Sequence, residues 1–176
     1  MTLPKHILDK FPKLSNDNLL NNLSLPSGRN KMILDTDTAN EIDDQFALAW
    51  TLLSEDKIDL LGVTAEPYSF EHHKEELFEA YDIITKNKKI DVSNQELVSD
   101  YSNWVSGLID SKIHPKEIYF DTPKEGVEKS YQEIINVYKK LDKNYEGKVF
   151  RGSPKYLENL DEPLDTESSQ FIIDMC

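Results

Sequence analysis

The order of elements between residues 31 and 64 constrains the fold most strongly. Lys31–Asp35 is a short apolar run that ends in an acid, which is typical of a buried parallel strand. A helical pattern follows through about Ser54, and Ile58–Thr64 is a second strand-like run, rich in branched residues. A strand, a helix and a strand within about 35 residues make a βαβ unit, which requires a parallel sheet. The sequence therefore predicts an α/β fold.

The rest of the chain adds further helical and strand-like segments. We predict an N-terminal extension over residues 1–30 and a single α/β domain over residues 31–176. The predicted elements are a short helix near Leu14–Leu23 after which Pro26 ends the extension, helices over 71–85, 127–141 and 167–176, and strand-like runs at 117–120 and 148–152. Because the sequence stops inside an apolar helical segment, where a strand would ordinarily follow, we expect a truncation at the C-terminus.

Charge and composition limit the classes of partner. The chain has 33 acidic and 20 basic residues, a net charge of −13, which repels phosphate backbones and anionic lipid headgroups. We therefore expect neither a nucleic-acid nor a membrane partner, and no run of about 18 apolar residues is present. The single cysteine, Cys176, fits a reducing compartment and a cytoplasmic location. The sequence leaves open whether the chain is a homo-oligomer.

Five acids are concentrated between the first strand and the first helix of the βαβ unit. Structural needs at such a junction explain only one or two of them, and packed like charges oppose folding. A divalent cation would remove that penalty, and ligands that are all oxygen favour calcium or magnesium. We expect Asp37 and Asp44 to approach one ion from opposite ends of the loop. The five acids are Asp35, Asp37, Glu41, Asp43 and Asp44.

Two simpler interpretations of this loop were weighed. An acidic segment at a helix start is often only a solvated cap, since carboxylates are favoured there. An EF-hand loop beginning at Asp35 is excluded, because position 6 is Asn40 rather than Gly and position 12 is Phe46 rather than Glu.

The acidic segment also resembles a known family signature. Asp35-Thr-Asp37, followed by Asp43-Asp44-x-x-Ala-Leu, is similar to the metal-binding motif of the inosine/uridine-preferring nucleoside hydrolases. Leu60–Thr64 and Val149–Pro154 also resemble segments of that family, so the similarity spans about residues 31–176. The resemblance implies a parallel-sheet, Rossmann-like fold, here incomplete at the C-terminus. It also implies a bound calcium ion and hydrolysis of the bond between ribose and a nucleobase in purine or pyrimidine salvage.

The resemblance also implies roles for individual residues. Asp37 matches the carboxylate that binds calcium and takes a proton from the attacking water, and Asp44 matches a second calcium ligand. Asp43 matches the acid that holds the ribose hydroxyls, and Asp35 matches the first, supporting acid of the motif. The link between Asp37 and the acid pair is longer by two residues than in the family. We therefore expect the loop to bulge and bring Asn40 or Glu41 into the substrate site.

Other departures affect the expected activity. The family has a substrate-contacting Asn after its second strand, where this chain has Ala65–Phe70. The family also takes its remaining calcium ligands from later parts of a longer chain. Because calcium requires about 6–8 oxygen ligands, we expect these 176 residues alone to bind it weakly and to show little or no turnover.

Alternative functions stay open at the level of sequence. Ile33–Thr38 also fits the Asp-x-Asp-x-Thr pattern of haloacid-dehalogenase-like phosphatases, in which Asp35 would attack phosphorus. A third interpretation is a non-catalytic, truncated fragment. Near the second strand, His72 and His73 are expected mainly at a surface helix start, while Tyr68 and Phe70 are candidates either for stacking on a base or for packing.

Overall fold

Three parallel strands form the sheet in the computed structural model, which describes residues 15–24, 27–86, 88–157 and 163–175. Within these residues the strands lie in the order β1, β2, β3, with β2 in the middle. This confirms the prediction of an α/β class with a parallel sheet. The bounds of the strands are Asn30–Thr36 for β1, Ile58–Ala65 for β2 and Val149–Arg151 for β3.

Helices follow or connect these strands throughout the described part of the chain. Glu71–His73 and Pro115–Glu117 form single turns of 3₁₀-helix. No helix in the described ranges is long and apolar enough to span a membrane. The α-helices are α1 Asn16–Asn22, α2 Ile42–Leu53, α3 Lys74–Thr85, α4 Gln95–Ser111, α5 Pro123–Lys140 and α6 Glu167–Met175.

Helices α2 and α5 cover one face of the sheet. Val63 and Ala65 of β2 point to this face, where they meet Leu48 of α2 and Ile134 of α5 in a fully buried cluster. Side chains alternate along a strand, so Gly62 and Thr64 point to the opposite face. There a Cβ on Gly62 would lie 2.5 Å from the ring of Phe171, which belongs to α6. Helix α6 therefore packs on the second face.

A second apolar cluster joins helices α3 and α4. Its buried members come from both helices and from the segment before α5, and Trp104 and Ile118 pack against them. This cluster is built apart from the sheet. The buried residues are Leu77, Ala80, Tyr101, Val105, Leu108 and Phe120.

Most predicted elements agree with the structure, but one strand prediction is wrong. Residues 117–120 are not a strand, because Pro115 begins a 3₁₀ turn in which the His114 side chain and Glu117 form reciprocal caps. The chain then runs on irregularly to α5, which begins four residues before the predicted Val127. Leu14, Pro26 and Cys176, which bounded other predictions, lie outside the described residues.

Helix α2 exposes apolar residues that the sequence pattern had marked as one helical face. Phe46 is 68% exposed, Trp50 77% and Leu53 65%, whereas the buried residues of this helix are Leu48, Thr51 and Leu52. The periodicity predicted the helix correctly but could not identify the side on which the sheet lies, because both sides of α2 are apolar.

Thr122 caps the longest helix and provides a test of the fold. Its hydroxyl accepts a hydrogen bond from the Glu125 N–H, and Glu125 reaches back to the Thr122 N–H. We expect Thr122→Ala to lower the free energy of unfolding by about 1 kcal/mol, since a helix N–H loses its partner. Thr122→Ser keeps the oxygen and is the control in urea denaturation. Equal losses in the two variants would contradict the capping role.

Candidate functional site

The ends of the three strands meet at one edge of the sheet. In the register of the sheet, Asp35 lies opposite Thr64, and Thr64 lies opposite Phe150. The loops that start at Asp37, Glu66 and Gly152 therefore leave from the same edge. In open α/β sheets this carboxyl edge is the usual place for a ligand, which makes these loops the candidate site.

Strand alternation divides the acids of the motif between the two faces of the sheet. Asp35 points to the α6 face together with Thr64, whose hydroxyl donates a hydrogen bond to its Oδ1. Thr36 points to the α2 face, where its hydroxyl donates to Oδ1 of Asp44. The structure therefore places Asp35 and Asp44 in two separate hydrogen-bonded groups.

The first group is a pair of carboxyl groups. A hydrogen bond joins the side chains of Glu66 and Asp35. Burial, this hydrogen bond and the negative charge of Asp35 together raise the pKa of Glu66 to about 7. Asp35 itself is exposed. Near neutral pH the pair therefore shares one proton between its two members.

Close backbone packing fixes the position of Glu66. Its N–H donates to the Thr36 carbonyl at 2.9 Å, and the Gly152 N–H donates to the Ala65 carbonyl at 2.8 Å. A Cβ on Gly152 would lie 2.6 Å from the Ala65 carbonyl and 2.7 Å from Oε2 of Glu66. Only glycine allows the third strand end to approach the carboxyl group this closely.

The second group links the loop to the start of α2. The Thr36 hydroxyl lies 3.0 Å from that of Thr38, and both threonines are buried. With Asp44 they form a short chain of hydrogen bonds that joins the end of β1 to the first turn of α2. This chain holds the Asp44 carboxylate in the first turn of α2, which begins at Ile42.

Asp37 and Asn40 form the turn between these two groups. The Asn40 amide Nδ2 donates to Oδ2 of Asp37 at 3.0 Å, and the Asn40 N–H donates to the Asp37 carbonyl at 2.7 Å. Both residues are half-buried, whereas Asp43 and Glu41 are exposed. Of the predicted pair Asn40 and Glu41, only Asn40 is thus seen in contact with a predicted metal ligand.

The donor chemistry of the loop fits a hard cation, although a closed cage is not formed by acids alone. The carboxylates of Asp37 and Asp44 and the amide oxygen of Asn40 are ligands of the type that calcium prefers. Among the described residues, no three His, Cys, Asp or Glu side chains are grouped so that they could hold a metal ion. A calcium ion held by Asp37 and Asp44 would complete its shell with carbonyl, amide or water oxygens.

Tyr68 lies beside this loop, on the segment that follows β2. Burial raises the pKa of Tyr68 first, and Asp121 and Asp37 raise it further by their negative charges. A Cβ on Gly126 would lie 2.1 Å from the Tyr68 carbonyl, and the Ser69 hydroxyl donates to the Asp121 carbonyl at 2.6 Å. The start of α5 therefore fixes Tyr68 near the acidic loop.

The histidines belong to a different cluster. His72 is exposed. Nδ1 of His73 lies 2.6 Å from the Tyr101 hydroxyl, which also donates to Glu76. Burial and Glu76 raise the pKa of Tyr101 to about 12, so its hydroxyl stays protonated. Phe70 and Trp104 pack edge to face beside this network, so Phe70 joins the α3–α4 cluster.

Glu66 was not among the residues predicted from the motif. The sequence did contain a signal, because an acid directly after the second strand of a βαβ unit must lie at the same sheet edge as the acid that ends the first. The hydroxyls of Thr36 and Thr64 were also missed. Their role depends on the register of β1 against β2, which the sequence pattern does not specify.

The raised pKa of Glu66 predicts a pH-dependent contribution to stability. Between its ordinary pKa of 4.5 and about 7, the folded chain holds a proton that the unfolded chain has released. The free energy of unfolding therefore falls as pH rises through this window. Allowing for solvent screening, we expect Glu66→Gln to stabilise the protein by about 1–2 kcal/mol at pH 8 and not at pH 4.5.

Urea denaturation at both pH values measures this difference, with Glu75→Gln as the matched control on the exposed side of α3. A difference between Glu66→Gln and wild type that does not change with pH would contradict the proton-sharing pair.

Comparison of the chain with known protein families, with curated proteins and with solved structures found no match.

Proposed function

We propose that this chain is a calcium-dependent nucleoside hydrolase with a Rossmann-like α/β fold, which cleaves the N-glycosidic bond of ribonucleosides. The observation that carries the proposal is the fixed position of two carboxylates at the carboxyl edge of β1. Asn40 holds Asp37 at the end of the strand, and Thr36 holds Asp44 at the start of α2. The resemblance of residues 35–48 to the family motif gives these carboxylates their proposed roles.

In this proposal each acid acts on a different part of the reaction. Glycosidic cleavage passes through an oxocarbenium-like transition state, which carboxylates near the sugar stabilise. Asp37 accepts a proton from the attacking water, and Asp43 holds the ribose hydroxyls. Asp37 and Asp44 would hold the calcium ion. When bound, the ion supplies a positive charge that makes water more acidic and orients the ribose.

The contacts of Asp35 favour this proposal over the phosphatase alternative. A nucleophilic aspartate needs an oxygen that can approach a phosphate group. Oδ1 of Asp35 accepts a hydrogen bond from Thr64, and the side chain also pairs with Glu66. A second carboxyl group at this point adds negative charge near the path of a phosphate dianion. This arrangement suits a supporting role for Asp35.

The test is release of base from a ribonucleoside, followed by chromatography during a long incubation at high protein concentration. The proposal predicts slow release with calcium, none above buffer with a chelator, and slower release from the matching 2′-deoxyribonucleoside, which lacks one hydroxyl for Asp43. Release no faster than in buffer, or hydrolysis of p-nitrophenyl phosphate through a phosphorylated Asp35, would overturn it.

A further inference from the structure

A cavity opens beside the carboxyl pair, on the α6 face of the sheet. Its volume is about 600 Å³, within the ordinary range for small-molecule sites. Asp35 and Glu66 line one side of it, and the opposite walls carry Tyr156, Leu164 and Ile172. An aromatic ring, aliphatic side chains and a few polar groups are the surroundings that a flat, neutral heterocycle requires.

Glu66 has no task in the proposed reaction described so far. It is half-buried, fixed by its backbone contact with Thr36 and by the close approach of Gly152. It is joined to Asp35, the first acid of the loop that supplies the proposed catalytic groups. A carboxyl group that keeps a proton near neutral pH is suited to general-acid catalysis. Hydrolysis of a nucleoside needs such an acid, because the leaving base departs with a pair of electrons.

We infer that this cavity receives the nucleobase and that Glu66 is the general acid that protonates it. The inference rests on the proposed function and adds a catalytic residue to it. The C1′–N bond breaks and its electron pair goes to the base, while the Glu66 proton moves to a ring nitrogen. The water oxygen bonds to C1′ and gives one proton to Asp37. Ribose and the free base result, and exchange with solvent restores both acids.

The charged groups around Glu66 are compatible with this role. Asp35 keeps the proton on the pair at neutral pH, and Lys155 is the other charged side chain among the described residues that line the cavity. A free base carries no phosphate, so the net charge of −13 does not repel it. The protonated carboxyl group can donate a hydrogen bond to a ring nitrogen that the ionised form would repel.

The first experiment tests the cavity without relying on turnover. Adenine binding is measured by calorimetry at pH 5.5 and pH 8.5 for the wild type, Glu66→Gln and the control Glu75→Gln. We expect wild-type and control affinity to fall about tenfold or more at the higher pH, because a hydrogen bond to the base is lost. Glu66→Gln keeps a donor at both pH values, so its affinity should not change. No adenine binding by the wild type, or the same pH dependence in Glu66→Gln, overturns the inference.

The second experiment separates acid catalysis from structural support. On a purine ribonucleoside, Glu66→Gln should lose about 10²-fold in rate or more. On p-nitrophenyl riboside, whose leaving group needs no proton, it should stay close to the wild type. Equal losses on both substrates overturn the role as an acid. Adenine binding as expected in a wild-type protein that releases no base would instead count against the proposed function and leave the base site supported.

Discussion

Replacing Asp37 with asparagine is expected to bring calcium-dependent release of base down to the uncatalysed rate, a loss of about 10²-fold or more. The amide cannot accept the proton of the attacking water, and it is a poorer calcium ligand than a carboxylate. Asparagine has nearly the same shape, and the hydrogen bond with Asn40 can be kept by its amide oxygen. The effect should therefore fall on chemistry and metal binding rather than on folding, as read by base release and by urea denaturation.

Asp56→Asn is the matched control for this variant. Asp56 is an exposed residue in the turn before β2, and its ion pair is with its neighbour Lys57. Its replacement should change neither the rate nor the calcium response. If Asp37→Asn released base as fast as Asp56→Asn, Asp37 would have neither proposed role.

The largest loss of stability is expected from Leu48→Ala, at about 3–4 kcal/mol. Leu48 is completely buried between α2 and the sheet, in the cluster that includes Val63 and Ile134. Removing its side chain leaves a cavity that the surrounding helices and strands can fill only in part. Since small domains have a total free energy of unfolding of about 5–15 kcal/mol, this variant should show a clear fall in the urea midpoint.

Leu53→Ala makes the same change at an exposed position on the same helix. Leu53 is 65% exposed, so we expect its replacement to alter the free energy of unfolding by about 0.5 kcal/mol or less. Similar losses at both positions would mean that α2 packs on the sheet with a different face from the one described.

The sequence was sufficient to predict the βαβ unit and the position of its acids. The apolar run before Asp35, the helical pattern after Asp44 and the branched run at Ile58–Thr64 each have a local periodicity, so their class and order could be predicted. The carboxyl edge of a parallel sheet then places the loop between Asp35 and Asp44 where a ligand would bind. These elements are present with nearly the predicted bounds.

The contacts within the site could not be predicted, because they depend on register and on the face of each strand. The sequence shows Asp35 and Asp44 as neighbours in one cluster, but alternation along β1 sends Asp35 to Thr64 and Thr36 to Asp44. The pairing of Glu66 with Asp35 likewise requires the end of β2 to lie level with the end of β1. Such long-range alignment is set by packing of the sheet against α2 and α6, not by local pattern.

The same limit explains the error at residues 117–120. Ile118 and Phe120 alternate with polar residues as in a strand, but Ile118 packs against, and Phe120 belongs to, the cluster between α3 and α4. The alternation reports burial of apolar side chains correctly. It does not report whether a neighbouring strand is available to accept the backbone hydrogen bonds.

Calcium titration followed by two-dimensional NMR tests the central claim most directly, because it locates the ion. The account predicts saturable shifts of the amide signals between Thr36 and Asp44, with weak affinity, a Kd on the order of 10⁻⁴–10⁻³ M. The shifts should reverse with a chelator and should be absent in Asp44→Asn. Calcium-dependent shifts spread over other acidic surfaces, with the signals from Thr36 to Asp44 unchanged, would contradict it.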